Sequence, residues 1–383
     1  MSPPRLRDGF RHSLLVFLGV RAGLLALSLL GTALIEPRSS PALPVVPGWA
    51  IAPVTSGWHN LATALERQDA AWFLRIATHG YAHGDGSAAF FPLYPIAIRA
   101  VAWLPGVGPL GAALFVSNVS FLAALLMLHG LTRLEGMSEA TARRTTLFIA
   151  IFPTAFFFLA PYSEALFLLM SVSCFWFARR DRWAMAGLTG ALAALTRSIG
   201  VLLIPALAVE ALARSPRGRA LGLRLLAAAG VGLGPLLYFI YWRVRFGDFW
   251  APFRAQERWG RDPTFPLSTA EDAIRLAVRL GTYWLVDALV VGIVVVSVLA
   301  GLRWLRPCYL TYALASLLLP LSDPLPGRPL LSMPRFVAVI FPAFWVIARA
   351  VERRRLPEPV VTGTFAAGYG ILTLLFVNWW HIF

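Results

Sequence analysis

Predominantly apolar blocks of 13 to 23 residues recur along this chain, at 13–35, 108–130, 146–160, 164–178, 184–196, 199–213, 221–242, 284–301, 308–321, 336–350 and 360–378. The blocks are continuous and do not alternate with period two, which excludes a β-barrel. The longer ones reach the ~20 residues that a helix needs to cross a ~30 Å hydrocarbon core. The pattern predicts an all-α, polytopic transmembrane helical bundle of about 11 crossings, built as one integral-membrane domain over residues 1–383. Two stretches between blocks are long, 36–107 and 243–283, and the other connections are tight. The first opens with EPRSSPALPVVPGWAIAP, a proline-rich coil too rigid and polar to span.

Inside that first long stretch, RQDAAWFLRIATHGY at 67–81 has a helical period. Residues Asp69, Trp72, Phe73, Ile76 and Gly80 fall on one face by the i, i+3, i+4 rule, with Gln68, Arg75 and Thr78 largely elsewhere. An interfacial helix ending at Gly80 is expected, followed by a second membrane-hugging segment, AAFFPLYPIAIRAVAWL, restricted by Pro92 and Pro95. Asp69 thus shares a face with the apolar residues. A carboxylate held at the membrane boundary is a candidate for function, or it forms a structural pair with Arg67 or Arg75.

The chain is 58% hydrophobic and only 14% charged, yet its formal charge is +15, and all 34 basic residues are Arg. The placement of that charge matters more than its size. With the N-terminus inside and the C-terminus outside, the inside segments hold 19 arginines against seven acids, and the outside ones 14 against 12. Turns such as RLEGMSEATARR, ARRDRW, ARSPRGR and ERRR follow the positive-inside rule. The basic excess therefore reads as topology and attraction to lipid headgroups, and nucleic acid is not an expected partner. The first block follows Arg5, Arg7 and Arg11 as a signal peptide would, but it is too long and lacks a small-x-small cleavage site. It is expected to be the first crossing. Cys174 and Cys308 lie far apart in or beside apolar blocks, without metal or redox spacing.

QDAAWFLRIATHGY with AAFFPLYPIAIR resembles the first outer loop of the PIG-V-like (GPI mannosyltransferase II) family of GT-C integral-membrane glycosyltransferases. Supporting pieces follow in family order: FPTAFFFLAPYSEALFLL (152–169), ALTRSIGVLLIPAL (194–207), GDFWAPFRAQERWGR (247–261) and MPRFVAVIFPAF (333–344). The family usually places an aromatic residue directly before the loop Asp, and Gln68 stands there in this chain. The resemblance implies a GT-C fold. It also implies transfer of a sugar, mannose by family, from a polyprenyl- or dolichyl-phosphate donor to an extracytoplasmic hydroxyl, with inversion. The acceptor would be a glycan, lipid or protein, and the lipid-phosphate sugar is a substrate, so no cofactor is expected.

That chemistry needs a base for the attacking hydroxyl and cations for the departing phosphate. Asp69 is the expected base. Arg197 in LTRSIG and Arg335 in MPRF stand at expected outside boundaries, where an unpaired guanidinium is costly and a phosphate is a natural partner. Their other reading is snorkelling to headgroups or an ion pair with Glu164. Glu164 itself begins a helix after Pro161 and Tyr162, so it either complements the helix dipole or lines the site. His79, Tyr81, Gln256 and Trp259 are further candidates for substrate contact, and aromatic residues in an outer loop also suit an interfacial belt. His79, His83 and Asp85 superficially resemble a metal set, but Gly80, Gly84 and Gly86 interrupt any helix there, and no metal site is expected. A transporter or flippase of lipid-linked sugars is the competing class. It is disfavoured by the absence of internal repeats and by acids that cluster in the outside loops, with only Arg21 deep among the helices. An all-arginine, alanine-rich chain fits a bacterial inner membrane.

Overall fold

The protein, seen in a computed structural model, is described at residues 3–35, 46–50, 63–214, 217–257, 260, 263–378 and 380. Among these residues every regular element is helical, apart from one isolated antiparallel bridge between Leu325 and Arg328. Among the described residues, four helices have the length and composition to cross a membrane: α1 (Pro3–Leu34, apolar from Asp8), then Pro109–Leu134, Thr282–Gly301 and Glu358–Val377. Arg219–Gly230 and Leu233–Phe246 together make a fifth, bent by 44°. Other expected crossings appear as shorter apolar helices, among them Trp183–Thr196 and Pro307–Leu321. The chain is a multi-pass membrane protein.

Two compact units form, one from Met1–Leu169 with Val351–Ile382, the other from Met170–Ala350. In the first, α1 packs on Glu358–Val377, Pro109–Leu134 and Glu139–Ala150. The backbones come close where glycine allows it: a Cβ on Gly31 would meet Val377 at 2.8 Å, and one on Gly9 would meet the His129 ring at 2.6 Å. The two helices expected in the first long stretch are present as α2 (Asp69–His79) and α3 (Leu93–Ala102), and α2 packs on α3 and on Pro109–Leu134. Gly80 ends α2 at φ 80°, a conformation without penalty only for glycine. Pro92 caps α3 and Pro95 falls in its first turn, where no amide partner is lost. Ile96, Trp103 and Leu104 at α3 are exposed, as an interfacial anchor requires.

In the second unit, Trp183–Thr196 packs on both halves of the bent pair, and small residues set the spacing. A Cβ on Gly187 would stand 2.6 Å from the Ala227 carbonyl oxygen, one on Gly190 2.5 Å from Val231, and one on Gly234 would overlap the Ala191 carbonyl. The bend falls at Gly230-Val231-Gly232, where helix propensity is lowest.

Four features differ from the sequence pattern. The block at 146–160 is not one helix: Glu139–Ala150 stops before Pro153, and a buried irregular stretch follows, with a short 3₁₀ turn at Ala155–Phe158. Its carbonyls find partners in polar side chains of the neighbouring helix: Asn118 donates to Leu159 (3.1 Å) and Ser117 to Tyr162 (3.1 Å). The block at 336–350 divides into Met333–Val337 and Phe341–Glu352. Residues Pro266–Leu280, expected as loop, form a helix that buries Thr269, Ala273 and Ala277 and exposes Leu267, Ile274 and Val278. Nor is Arg21 alone among charged residues within the helices. Asp287 lies inside Thr282–Gly301 at 1% exposure, and Glu210 is buried between Arg179 (2.7 Å) and Arg214 (2.8 Å). Each is tolerated because it has a guanidinium partner.

Candidate functional site

In the first unit the candidate site centres on the start of α2. Residues Ala70 to Ala77 are all buried, so the helix is enclosed on both faces and does not rest on one face alone. Trp72 stacks on Phe90 (5.4 Å, 17°), and Phe73 makes edge contacts with Phe90 (5.3 Å) and Tyr94 (5.0 Å). Such pairs contribute about 0.5–1.5 kcal/mol each beyond area burial. Arg75, expected off the buried face, is buried because it pairs with Asp85 at 2.6 Å and donates to the Gly80 and Pro47 carbonyls. Asp69 and Gln68 alone at this helix start are partly exposed, so the carboxylate is the accessible end of an otherwise enclosed element. As first residue of α2, Asp69 also sits where the helix dipole favours a negative charge.

The segment leading to Asp69 is tightly held. Arg67 is 1% exposed and donates to the carbonyls of Thr63 (3.0 Å), Glu66 (3.1 Å) and Val377 (3.2 Å). Burial lowers its pKa to about 10, which leaves it charged at neutral pH. The Arg67 carbonyl accepts the Tyr162 hydroxyl at 2.7 Å. Glu66 is buried and accepts from Trp49 Nε1 at 2.5 Å; desolvation raises its pKa, partly opposed by that bond and by Arg67. Gln68 then adopts φ 49°, ψ −115°, a conformation that costs a non-glycine residue ~1–3 kcal/mol. Glu164, fully buried, opens the helix Glu164–Arg179 two residues after Tyr162.

His79 and Tyr81 belong to the same unit. His79 is exposed at the end of α2, with Nδ1 2.8 Å from the Thr78 hydroxyl and its ring edge-on to Trp49 at 6.4 Å. Tyr81 donates to the Phe90 carbonyl at 2.8 Å, which ties the loop to the FFPLYP segment. Asp85 accepts from the Ser87 amide (2.8 Å) and hydroxyl (2.6 Å) besides holding Arg75, so its role is to shape the loop. Among the described residues, no three His, Cys, Asp or Glu side chains gather as metal ligands.

In the second unit Arg197 and Arg335, 138 positions apart in the sequence, converge on one ring: their guanidinium carbons lie 5.0 and 5.2 Å from the centroid of Phe336. Arg197 is the extended link between Trp183–Thr196 and the following 3₁₀ turn, and Arg335 lies in the short helix after Ser332, which has φ 67°. Two guanidinium groups around one ring are a donor set that suits an anion. The Arg335 segment is secured upstream: Arg328 gives both Nε (3.0 Å) and Nη2 (2.9 Å) to Asp287 Oδ2, and Trp284 Nε1 donates to Gly327 (2.9 Å). Asp287 Oδ1 is buried without a hydrogen-bond partner. Gln256 lies on the helix Ala251–Glu257, its side chain outside the described residues, as is Trp259 altogether.

Sequence reasoning did not single out Tyr162 or the Asp287–Arg328 pair, and it offered Arg67 only as a pair for Asp69. For Tyr162 and Asp287 a signal was present: Ser117-Asn118 interrupts the block 108–130, and Asp287 interrupts 284–301. Polar side chains in such blocks need partners elsewhere in the chain.

Comparison with known proteins gives a consistent picture. The sequence model of the mannosyltransferase (PIG-V) family matches residues 14–215. GPI alpha-1,6-mannosyltransferase 2 of Mus musculus is 36% identical over 152 residues, covering 37% of this chain and 31% of the mouse protein. The Homo sapiens protein of that name is 32% identical over 152 residues, with the same coverage. The aligned stretch thus spans under a third of the curated relatives. Among solved structures, ArnT from Cupriavidus metallidurans, crystallised with undecaprenyl phosphate, superposes with a TM-score of 0.55 at 14% identity, covering 96% of this chain and 76% of ArnT. That likeness is one of fold.

Proposed function

Because this chain belongs to the mannosyltransferase (PIG-V) family, we propose that it transfers a mannosyl residue from a polyprenyl- or dolichyl-phosphate donor to an acceptor hydroxyl on the extracytoplasmic side. Asp69 takes the proton from the attacking hydroxyl. The acceptor oxygen bonds to the anomeric carbon with inversion as the bond from that carbon to the phosphate oxygen breaks. The lipid phosphate departs with the extra negative charge, and Arg197 and Arg335 bind it. The lipid-linked sugar is a substrate, so the scheme contains no resident cofactor.

One observation carries this reading: a partly exposed carboxylate opens a helix whose next eight residues are buried, in the motif region that the family match covers. The convergence of Arg197 and Arg335 on Phe336 gives it independent support, because guanidinium groups gathered at one place suit a phosphate. ArnT was crystallised with undecaprenyl phosphate, a ligand of the donor's chemical class. Glu164, His79 and Tyr81 remain candidates to contact the sugar or acceptor, with Gln256 and Trp259 in the second outer loop. The all-arginine composition favours a bacterial inner membrane. A transporter or flippase is not favoured, since the family is one of transferases.

The test is reconstitution with radiolabelled polyprenyl-phosphate mannose and a membrane lipid and glycan extract as acceptor pool. Label should move to an acceptor fraction in a linkage inverted relative to the donor. Label that crosses the bilayer still attached to the polyprenyl phosphate would instead establish the flippase.

A further inference from the structure

The aim of a catalytic carboxylate depends on the backbone that carries it, and here that backbone is strained. Gln68 holds φ 49° while its side chain caps no helix amide, so residue 68 does not stabilise its own conformation. The restraint comes from its neighbour. The Arg67 carbonyl receives the Ala70 amide (3.0 Å), which begins the first turn of α2, and the Tyr162 hydroxyl (2.7 Å). The Arg67 guanidinium is bonded to three further carbonyls, one of them Val377, 310 residues away.

Tyr162 is itself immobilised. It is fully buried, with its ring edge-on to Phe157 at 4.8 Å and Phe376 at 6.2 Å. Its carbonyl accepts from Ser117 Oγ at 3.1 Å, and Ser117 shares a 2.7 Å bond with the Tyr94 hydroxyl. Tyr94 in turn contacts Phe73 on α2. The chain Tyr94–Ser117–Tyr162–Arg67 therefore closes on the helix that bears Asp69 from both its start and its side.

We propose that Tyr162 and Arg67 are positioning residues for Asp69: by fixing the peptide before Gln68 they aim the carboxylate, and the side chain at position 68 contributes nothing to that aim. This rests on the reading of Asp69 as base. A base displaced by about 1 Å loses on the order of 10²-fold in rate. Tyr162→Phe keeps the ring and its packing and removes only the hydroxyl.

The experiment measures kcat and donor KM for wild type, Tyr162→Phe, Arg67→Lys, Gln68→Gly, Asp69→Asn and the double variant Tyr162→Phe/Asp69→Asn. Each is reconstituted and scaled to its monodisperse, folded fraction, with radiolabelled polyprenyl-phosphate mannose as donor. Tyr162→Phe and Arg67→Lys should lower kcat by ~10–10²-fold with donor KM within about twofold, and Gln68→Gly should keep wild-type turnover. In the Asp69→Asn background the Tyr162→Phe loss should vanish, because Tyr162 acts only through Asp69. Wild-type kcat in Tyr162→Phe, or an undiminished loss in the double variant, overturns the proposal. If Tyr162→Phe does not accumulate, Ser117→Ala loosens the same tyrosine from its carbonyl side and is judged by the same kcat and KM criteria. If Asp69→Asn itself turns over normally, the base assignment fails; if only Asp69→Asn collapses, the positioning role alone fails.

Discussion

Replacing Asp287 by alanine removes the carboxylate that takes two N–H bonds from Arg328 at 2.9 and 3.0 Å, in a position only 1% exposed. Breaking a buried pair from one side costs ~3–5 kcal/mol, because a charge is left behind. The Arg328 side chain retains 15% exposure and the second Asp287 oxygen has no partner to lose, so the low end, about 3 kcal/mol, is expected. Replacing both residues, as Asp287→Leu with Arg328→Met, removes the charge along with its partner. It should cost less than Asp287→Ala alone, with a coupling of at least about 1 kcal/mol. Equilibrium unfolding in detergent micelles of wild type, both single variants and the double variant measures it. Additive single losses, each under about 1 kcal/mol, would refute the pairing and the claim that it secures the segment leading to Arg335.

Arg197→Ala and Arg335→Ala should each raise donor KM more than they lower kcat, and their combination should abolish retention of polyprenyl phosphate; unchanged KM in both removes them from the phosphate site. Gly234→Ala, which drives a Cβ into the Ala191 carbonyl, should cost ~1–3 kcal/mol, read as a lower unfolding midpoint, whereas Gly222→Ala, with open space around it, should be neutral or stabilising. Burial raises the Glu66 pKa above its unfolded value, so the stability linked to it is complete below the ordinary carboxylate range and is lost as pH rises through the folded pKa. Glu66→Gln, which still accepts from Trp49, should flatten that part of a stability-versus-pH curve; an unaltered curve would contradict the assignment.

Where a single periodicity decides a local structure, the sequence was a sufficient guide. Continuous apolar blocks identified the long helices, the Asp69-Trp72-Phe73-Ile76 spacing identified α2, and Gly80 marked its end. The same reasoning misplaced features set by partners distant in the chain. The 146–160 block reads as a crossing because phenylalanines dominate it, but Pro153 and Pro161 leave its carbonyls to Ser117 and Asn118, about 40 residues earlier. Arg75 looked like a surface residue until Asp85, across a glycine-rich turn, neutralised it. Asp287 was overlooked because its compensating charge lies 41 residues on. Of the candidate site, residue types and order were readable. The convergence of Arg197 and Arg335 on Phe336 was not, since no local pattern encodes it.

The measurement that bears most directly on the central claim is the turnover of reconstituted Asp69→Asn beside wild type, at equal amounts of folded protein and saturating polyprenyl-phosphate mannose. Loss of the general base predicts a fall of ~10²–10⁴-fold in kcat with donor binding retained. Turnover within a few-fold of wild type would mean that another group takes the proton and that the carboxylate at the head of α2 serves only the fold.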